Sequence, residues 1–377
     1  RRPGPAMLRP SLTGRTGGGI LPVQEFHTSE SAVCCMCFGD ERFHKSYVLL
    51  AAGFEDGHAV LYRCYRTEME RSMLLSERQL PITLPLEELN AFVAMTPRAD
   101  GGAPLSPTQP GKIAVHSSLL GHAGGVTSIF FGPMEDTVAT LSMDNSLRLW
   151  DVDTGGLLQV FTDTCAFEAG AFVPLRQELL VAVNARGLLR VIDTTTGATV
   201  QRLRLSVGAR ALAFDATGEY LFAGCEDGSV HTFDGSAAAA FRRVSNVAVA
   251  QEEIQSMASV SEAPDADIGR RLVVRTAASI CVLQCDYRQG GAPRLLVLRR
   301  LPVDVGKTFF SPSGLAVCCT EDDEFKLVVK SLQDGSSTDL PLSQRHARVR
   351  AAGANKQNTM IASGDALGRI VLWRRLS

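Results

Sequence analysis

Two groupings of residues in this chain have the makings of a chemical site. Gly306-Lys307-Thr308 has the ending of a phosphate-binding loop, in which backbone amides and the lysine cradle phosphate oxygens. Such a loop needs a glycine five residues before Gly306 and a helix after it. Leu301 stands at the first place, and KTFFSPSG reads as a strand and a turn, so the phosphate reading is rejected. Cys34 and Cys37 form a C-x-x-C, but a tetrahedral zinc site needs a second ligand pair at suitable spacing and none follows. The sequence has no H-E-x-x-H and no G-x-S-x-G, and no histidine has an obvious ligand at helical spacing. The expectation is a chain with no catalytic residues, no metal and no cofactor.

Composition narrows the class further. The 377 residues are 45% hydrophobic and 21% charged, which supplies a core and excludes global disorder. A net charge of -2 argues against a dedicated nucleic-acid binder, although arginine outnumbers lysine 32 to 6. No apolar run approaches a membrane span, so no membrane partner is expected. Most of the ten cysteines sit in apolar runs such as AVCCMCF and LAVCCT, where a free thiol behaves as a small hydrophobe. That usage suits a reducing compartment, and the expected location is inside the cell, in nucleus, cytoplasm or both. Arg1, Arg2, Arg9 and Arg15 make the first residues basic, but Pro3, Pro5, Pro10 and Gly17-Gly18-Gly19 break any amphipathic helix. Residues 1–19 read as a disordered basic tail.

The elements that would position any site come from an internal repeat. An apolar strand, a polar turn and a second alternating strand recur seven times, as in TVATLSMDNSLRLWD, ELLVAVNARGLLRVID and YLFAGCEDGSVHTFD. The aligned turn positions are Gly57, Asn145, Gly187, Gly228, Ser279, Glu324 and Gly368. They recur about every 41–51 residues after a longer first interval, the period of a four-stranded propeller blade. Each copy is preceded by a further short apolar strand, as in VTSIFF and ARALAF, and most are followed by a fourth, as in LLQVF and TVQRLRL. One blade cannot bury both its faces, but seven stacked around an axis can. The expected fold is all-β, a seven-bladed propeller over 20–377, with a Pro/Gly-rich flexible insertion at about 67–110. The last copy lacks an outer strand, and ILPVQEF at 20–26 is expected to supply it and close the ring.

LGHAGGVTSIFFGPMEDTVATLSMDNSLRLWD at 120–151 resembles a WD40 repeat, with its Gly121-His122, Ser142-x-Asp144 and Trp150-Asp151 pairs. The resemblance implies a buried hydrogen-bonded tetrad of His122, Ser142, Asp144 and Trp150, with the histidine structural rather than catalytic. Other copies depart from the pattern: Ile192 and Phe233 replace Trp150, and in the last copy Asp365 lies eight residues before Trp373 rather than six. Only one complete tetrad is therefore expected. The resemblance also implies a non-catalytic scaffold for protein–protein interactions, in particular a nuclear regulator of transcription or growth.

In such a propeller the turns between second and third strands and the loops leading into first strands share one face. Reading those turns gives a candidate partner-binding rim of Glu55, Asp56, Arg186, Glu226, Asp227, Glu252, Asp322, Asp323 and Arg345, with Glu253 and Asp365 beside them. Acids dominate, so the expected partners are proteins, through basic or disordered segments, engaged by a propeller that is monomeric outside its complexes. The competing reading is that Asp and Glu-Asp-Gly are simply good turn formers. A second functional reading is a structural subunit locked in a large multiprotein or ribonucleoprotein assembly. Arg345, Arg348, Arg350, Arg369, Arg374 and Arg375 cluster in the last copy and suit phosphate or carboxylate recognition, or solvated strand faces. The insertion carries two overlapping P-x-x-P frames, Ser106-Pro107, and a segment at 68–80 with helical character.

Overall fold

The structure is a computed structural model. It describes residues 20–27, 30–40, 42, 45–67, 70, 111–174, 176–215, 218–235, 240–261, 270–287, 293–302, 308–310, 315–319, 327–332, 337–340 and 347–375. The basic tail at 1–19, all but the edges of the insertion, and the turn holding Glu324 lie outside these residues.

Among the described residues the strands form seven antiparallel four-stranded sheets. β1 (Ile20–His27) comes first in the chain but belongs to the last sheet. Blade 1 is β2 (Val33–Phe38), β3 (Tyr47–Phe54), β4 (Ala59–Tyr65) and β5 (Ile113–Leu119). Blade 2 is β6 (Val126–Phe131), β7 (Thr137–Ser142), β8 (Ser146–Asp151) and β9 (Leu157–Thr162). Blade 3 is β10 (Phe167–Val173), β11 (Arg176–Asn184), β12 (Leu188–Asp193) and β13 (Thr199–Arg204). Blade 4 is β14 (Ala209–Phe214), β15 (Tyr220–Cys225), β16 (Ser229–Asp234) and β17 (Arg242–Ala248). Blade 5 is β18 (Ser256–Ser261), β19 (Arg270–Arg275), β20 (Ser279–Asp286) and β21 (Arg294–Pro302). Blade 6 is β22 (Thr308–Phe310), β23 (Leu315–Cys319), β24 (Leu327–Ser331) and β25 (Ser337–Leu340). Blade 7 is β26 (Val349–Ala354), β27 (Met360–Asp365) and β28 (Arg369–Arg375), completed by β1.

β1 runs antiparallel to β28, with Phe26 opposite Ile370 and Glu25 opposite Val371. This is the ring closure expected of ILPVQEF, and it removes the open edge that β28 would otherwise present. The turns follow from glycine chemistry. Gly57, Asn145, Gly187, Gly228 and Gly368, five of the aligned turn positions, all have positive φ, between 65° and 90°.

The core is a set of seams between neighbouring blades. Val181, Val183, Leu189 and Val191 of blade 3 meet Leu221, Ala223 and Phe233 of blade 4. Val48, Leu50 and Tyr62 of blade 1 meet Ala362, Ile370 and Leu372 of blade 7. Each large apolar side chain so buried is worth about 1.5–3 kcal/mol, and each seam depends on both its blades.

Bulges recur at fixed places. Every described inner strand except β18 and β22 skips one residue after its first: Cys34, Thr127, Glu168, Arg210 and Arg350. Six of the seven described outer strands, all but β25, also skip one residue, and Val23, Leu158, Val200, Val244 and Leu298 are such residues, all exposed. A bulge re-aims a side chain, so the inner set presents its five residues where the strands begin.

Candidate functional site

The turn between second and third strands is tied to the start of the inner strand by the same backbone bond in blade after blade. Glu55 N donates to Ala32 O, Met143 N to Gly125 O, Ala185 N to Ala166 O, Glu226 N to Gly208 O and Ala366 N to Arg348 O, all at 2.9–3.0 Å. These bonds place turn residues and bulged inner-strand residues on one face, here called the upper face. The turn glycines pack tightly there: a Cβ on Gly57 would lie 2.6 Å from His122 O, and one on Gly228 would lie 2.3 Å from Ala250 O.

Blade 2 holds a buried polar network that fixes its loop. Trp150 Nε1–H donates to Thr140 Oγ1 at 2.8 Å, Thr140 O–H to His122 Nε2 at 2.7 Å, and His122 Nδ1–H to Asp144 Oδ2 at 2.9 Å. Because the indole can only donate, the hydroxyl must pass its own proton to Nε2, which sets the histidine tautomer. Burial lowers the His122 pKa, which favours the neutral ring this chain of bonds requires. Burial pushes the Asp144 carboxyl up, but hydrogen bonds from Ser146, His122 and the Ala123 amide outweigh it and hold the carboxylate well below its usual range.

The tetrad assigned from the sequence is corrected at one member. Ser142 is not the link between imidazole and indole; Thr140 is. Ser142 ends β7, where its hydroxyl donates to Gly124 O at 2.7 Å and accepts from Asp144 N at 3.1 Å. Thr140 lies two residues deeper on the same strand face, within reach of both rings. A sequence signal for it exists: Thr140 precedes Trp150 by ten residues, as Ser363 precedes Trp373, and Trp373 Nε1 donates to Ser363 Oγ at 3.0 Å. In blade 7 Asp365 accepts from the amides of Ala347, Leu367 and Arg369. His346, which precedes Val349 by three residues where His122 precedes Val126 by four, lies outside the described residues.

The rim residues divide into three groups. Asp227 accepts from Ser229 N at 3.0 Å and Ser229 Oγ at 2.6 Å, Asp56 bonds His58, and Glu252 accepts from Ala278 N at 3.0 Å. Asp227 and Asp56 shape their own turns, as the turn-former reading expects, whereas Glu252 ties the loop before β18 to the turn between β19 and β20. Glu55 and Glu226 instead meet arginines of the inner strands. Arg350 Nη1 reaches Glu55 at 3.0 Å. Arg210 lies 3.7 Å from Glu168, 3.3 Å from Glu226 and 3.4 Å from Glu253. Three carboxylates thus converge on one guanidinium, a local excess of two negative charges. Arg186 is exposed at its turn. Asp322, Asp323 and Arg345 lie outside the described residues. Sequence reading missed Arg210 and Glu168, which only the fold brings to the rim, and three exposed apolar side chains on this face: Leu120 and Met143, both 70% exposed, and Leu367, 48%.

The arginines of the last copy do not make one patch. Arg350 serves the upper face, whereas Arg374 is buried and bonds Glu70, at the start of the insertion, and Tyr65 O at 2.7 Å. Glu70 in turn accepts from Thr67 N at 2.7 Å and donates its own N–H to Thr67 Oγ1.

Eight cysteines among the described residues are free. Burial raises Cys37 and Cys225 to about 11 and Cys64 to about 12, so these thiols stay protonated near neutral pH. Among the described residues no three or more His, Cys, Asp or Glu are grouped to hold a metal ion.

Comparison with known proteins agrees with this geometry. The family model described as "WD domain, G-beta repeat" matches residues 114–151 and 201–234. The chain is 32% identical over 132 residues to "Eukaryotic translation initiation factor 3 subunit I" of Aspergillus fumigatus, covering 30% of this chain and 39% of that protein. It is 27% identical over 197 residues to "WD repeat-containing protein 90" of Xenopus tropicalis, covering 49% of this chain and 10% of that one. The matches to the initiation-factor subunits therefore span about two fifths of those proteins' length. The crystal structure of the Cps50 (Swd1) β-propeller domain of Myceliophteria thermophila superposes with a TM-score of 0.68, over 94% of this chain and 99% of that one, at 15% identity, which bears on the fold alone.

Proposed function

We propose that this chain, a WD40-repeat β-propeller, is a non-catalytic scaffold that holds basic protein segments on its upper face. The observation that carries this reading is the convergence of Glu168, Glu226 and Glu253 on Arg210. Their side chains are 29–43% exposed, and ion pairs within reach of water are worth about 0–1 kcal/mol each. An incoming lysine or arginine can therefore take over a carboxylate at small cost, and the local negative excess attracts it from a distance. Leu120, Met143 and Leu367 supply apolar contact on the same face. The test is affinity purification with quantitative mass spectrometry, comparing wild type with a Glu55→Lys, Glu226→Lys, Glu253→Lys variant. Loss of a specific partner set from a folded variant supports the reading, and an unchanged set overturns it.

The second reading is a fixed subunit of a large assembly. What favours it is the likeness to proteins named as subunits of translation initiation factor 3. ATLSMDNSLRLWDV and residues 210–230 and 361–375 also resemble WD repeat-containing protein 13, a likeness that covers about 113–377. That likeness supports a place in the nucleus or cytoplasm and a role in transcription or growth control; the free thiols, four of them buried and four half-buried, suit a reducing compartment.

A further inference from the structure

We propose that the outer wall of blades 3–5 is a second docking surface, and that its partner is an acidic amphipathic segment of another protein. The outer strands there read TVQRLR, RRVSNVA and RLLVLRRLP: seven arginines and no acid. All seven arginines are exposed. The outer strands of blades 1 and 2, IAVHSSL and LLQVFT, hold no lysine or arginine; that of blade 6, STDL, carries an aspartate, and β1 carries Glu25. Among the described outer strands lysine and arginine are thus confined to three consecutive blades, in a chain whose net charge is -2.

Register gives the residue that stands opposite each arginine in the neighbouring strand. Asp234 stands opposite Arg242, and Asp286 opposite Arg294. The other five stand opposite residues that are not carboxylates. Arg202 lies opposite Arg190, which is itself engaged with Asp163 at 2.9 Å, and Arg204 lies opposite Leu188. Arg243 lies opposite Phe233, Arg299 opposite Val282, and Arg300 opposite Cys281, with Arg300 Nη2 donating to Val249 O at 2.6 Å. Between them the outer-strand bulges push out Val200, Val244 and Leu298, and Leu296 and Val297 are exposed beside Leu298.

The apolar component selects among polyanions. A nucleic-acid duplex presents a polar, phosphate-lined surface that would leave these aliphatic side chains uncovered. A single strand binds by stacking on aromatic rings, and the three strands contain no Phe, Tyr or Trp. Planar guanidinium groups suit carboxylates, and an acidic segment with interspersed leucine or isoleucine satisfies both features at once. The bulges also interrupt the strand edges, so the partner packs on the wall through side chains rather than adding a fifth strand.

The experiment is fluorescence anisotropy on the full chain at low salt. The probe is a labelled peptide of about 20 residues made of Asp, Glu, Leu and Ile. Comparators are the same peptide with serine for its apolar residues, poly(U) RNA and duplex DNA of like length, and phosphatidylcholine vesicles containing phosphatidylserine. The amphipathic peptide is expected to bind most tightly. Arg202→Glu, Arg204→Glu, Arg243→Glu together should weaken it about tenfold or more, and Leu296→Ser, Leu298→Ser about threefold. Tighter binding of RNA, DNA or vesicles, parity with the serine peptide, no binding, or less than about a twofold effect of charge reversal would overturn the proposal. If the charge-reversed chain does not fold, the wild-type salt titration decides: a fall of about tenfold between low salt and about 0.3 M supports the surface, and salt independence sinks it.

Discussion

Replacing Thr140 by valine keeps the shape of the side chain and removes the hydroxyl that joins Trp150 to His122. Thr140 and Trp150 are almost wholly buried. The substitution leaves the indole N–H and His122 Nε2 without partners in the seam between blades 1 and 2. Each orphaned buried group costs about 1–3 kcal/mol, so a loss of about 2–4 kcal/mol is expected after partial relaxation. Ser142→Ala also removes a hydroxyl, but its partners Gly124 O and Asp144 N belong to the upper-face loops, where water can substitute, and a loss of about 1 kcal/mol is expected. At this chain length a kilocalorie corresponds to roughly 1–2 °C in Tm, by scaling the unfolding entropy per residue. Urea midpoints and thermal scans of both variants give the comparison, and the Trp150 indole proton in NMR should shift in Thr140→Val alone. If Ser142→Ala costs as much as Thr140→Val, or moves the indole proton, the assignment of the linking hydroxyl is wrong.

Four further outcomes follow from buried groups. Burial lowers the pKa of His116, His122 and His231, so the unfolded chain takes up protons that the folded one refuses. Stability should be flat between about pH 7 and 8 and fall as pH drops below about 6.5, read from urea midpoints between pH 8 and 5. Both ring nitrogens of the fully buried His231 lack a hydrogen-bond partner among the described residues. His231→Leu should therefore be neutral or stabilising at pH 7 and should flatten that acid slope; marked destabilisation at pH 7 would count against this view. Glu70→Ala leaves Arg374 buried without its carboxylate and should cost about 3 kcal/mol in a urea titration, more than any exposed rim glutamate. Gly228→Ala forces a Cβ against Ala250 O at positive φ and should cost at least about 2 kcal/mol, measured the same way.

What could be read from the sequence was what is local. Turn glycines at positive φ and two-residue alternation belong to single strands and hairpins, so the blades and the ring closure by ILPVQEF were both legible. Thr140 and Ser142 are two apart on one strand, so alternation puts them on the same face and cannot choose between them. The Arg210 cluster gathers residues 168, 210, 226 and 253 from two inner strands and two top loops, and only stacking of blades brings them together. The basic wall was hidden for the same reason, its arginines being spread over three strands between residues 199 and 302. Conversely, the arginines that stand close in sequence at 345–375 are drawn apart, Arg350 to Glu55 and Arg374 to Glu70.

The upper face as a receptor for basic segments is tested most directly by titrating the full chain with a labelled Lys/Arg-rich peptide at low salt. Glu226→Gln with Glu253→Gln should weaken binding about tenfold, while Arg210→Ala, which removes the internal cation, should tighten it several-fold. A peptide that does not bind, or that binds equally to all three proteins, would contradict the account and leave these glutamates as turn and surface residues.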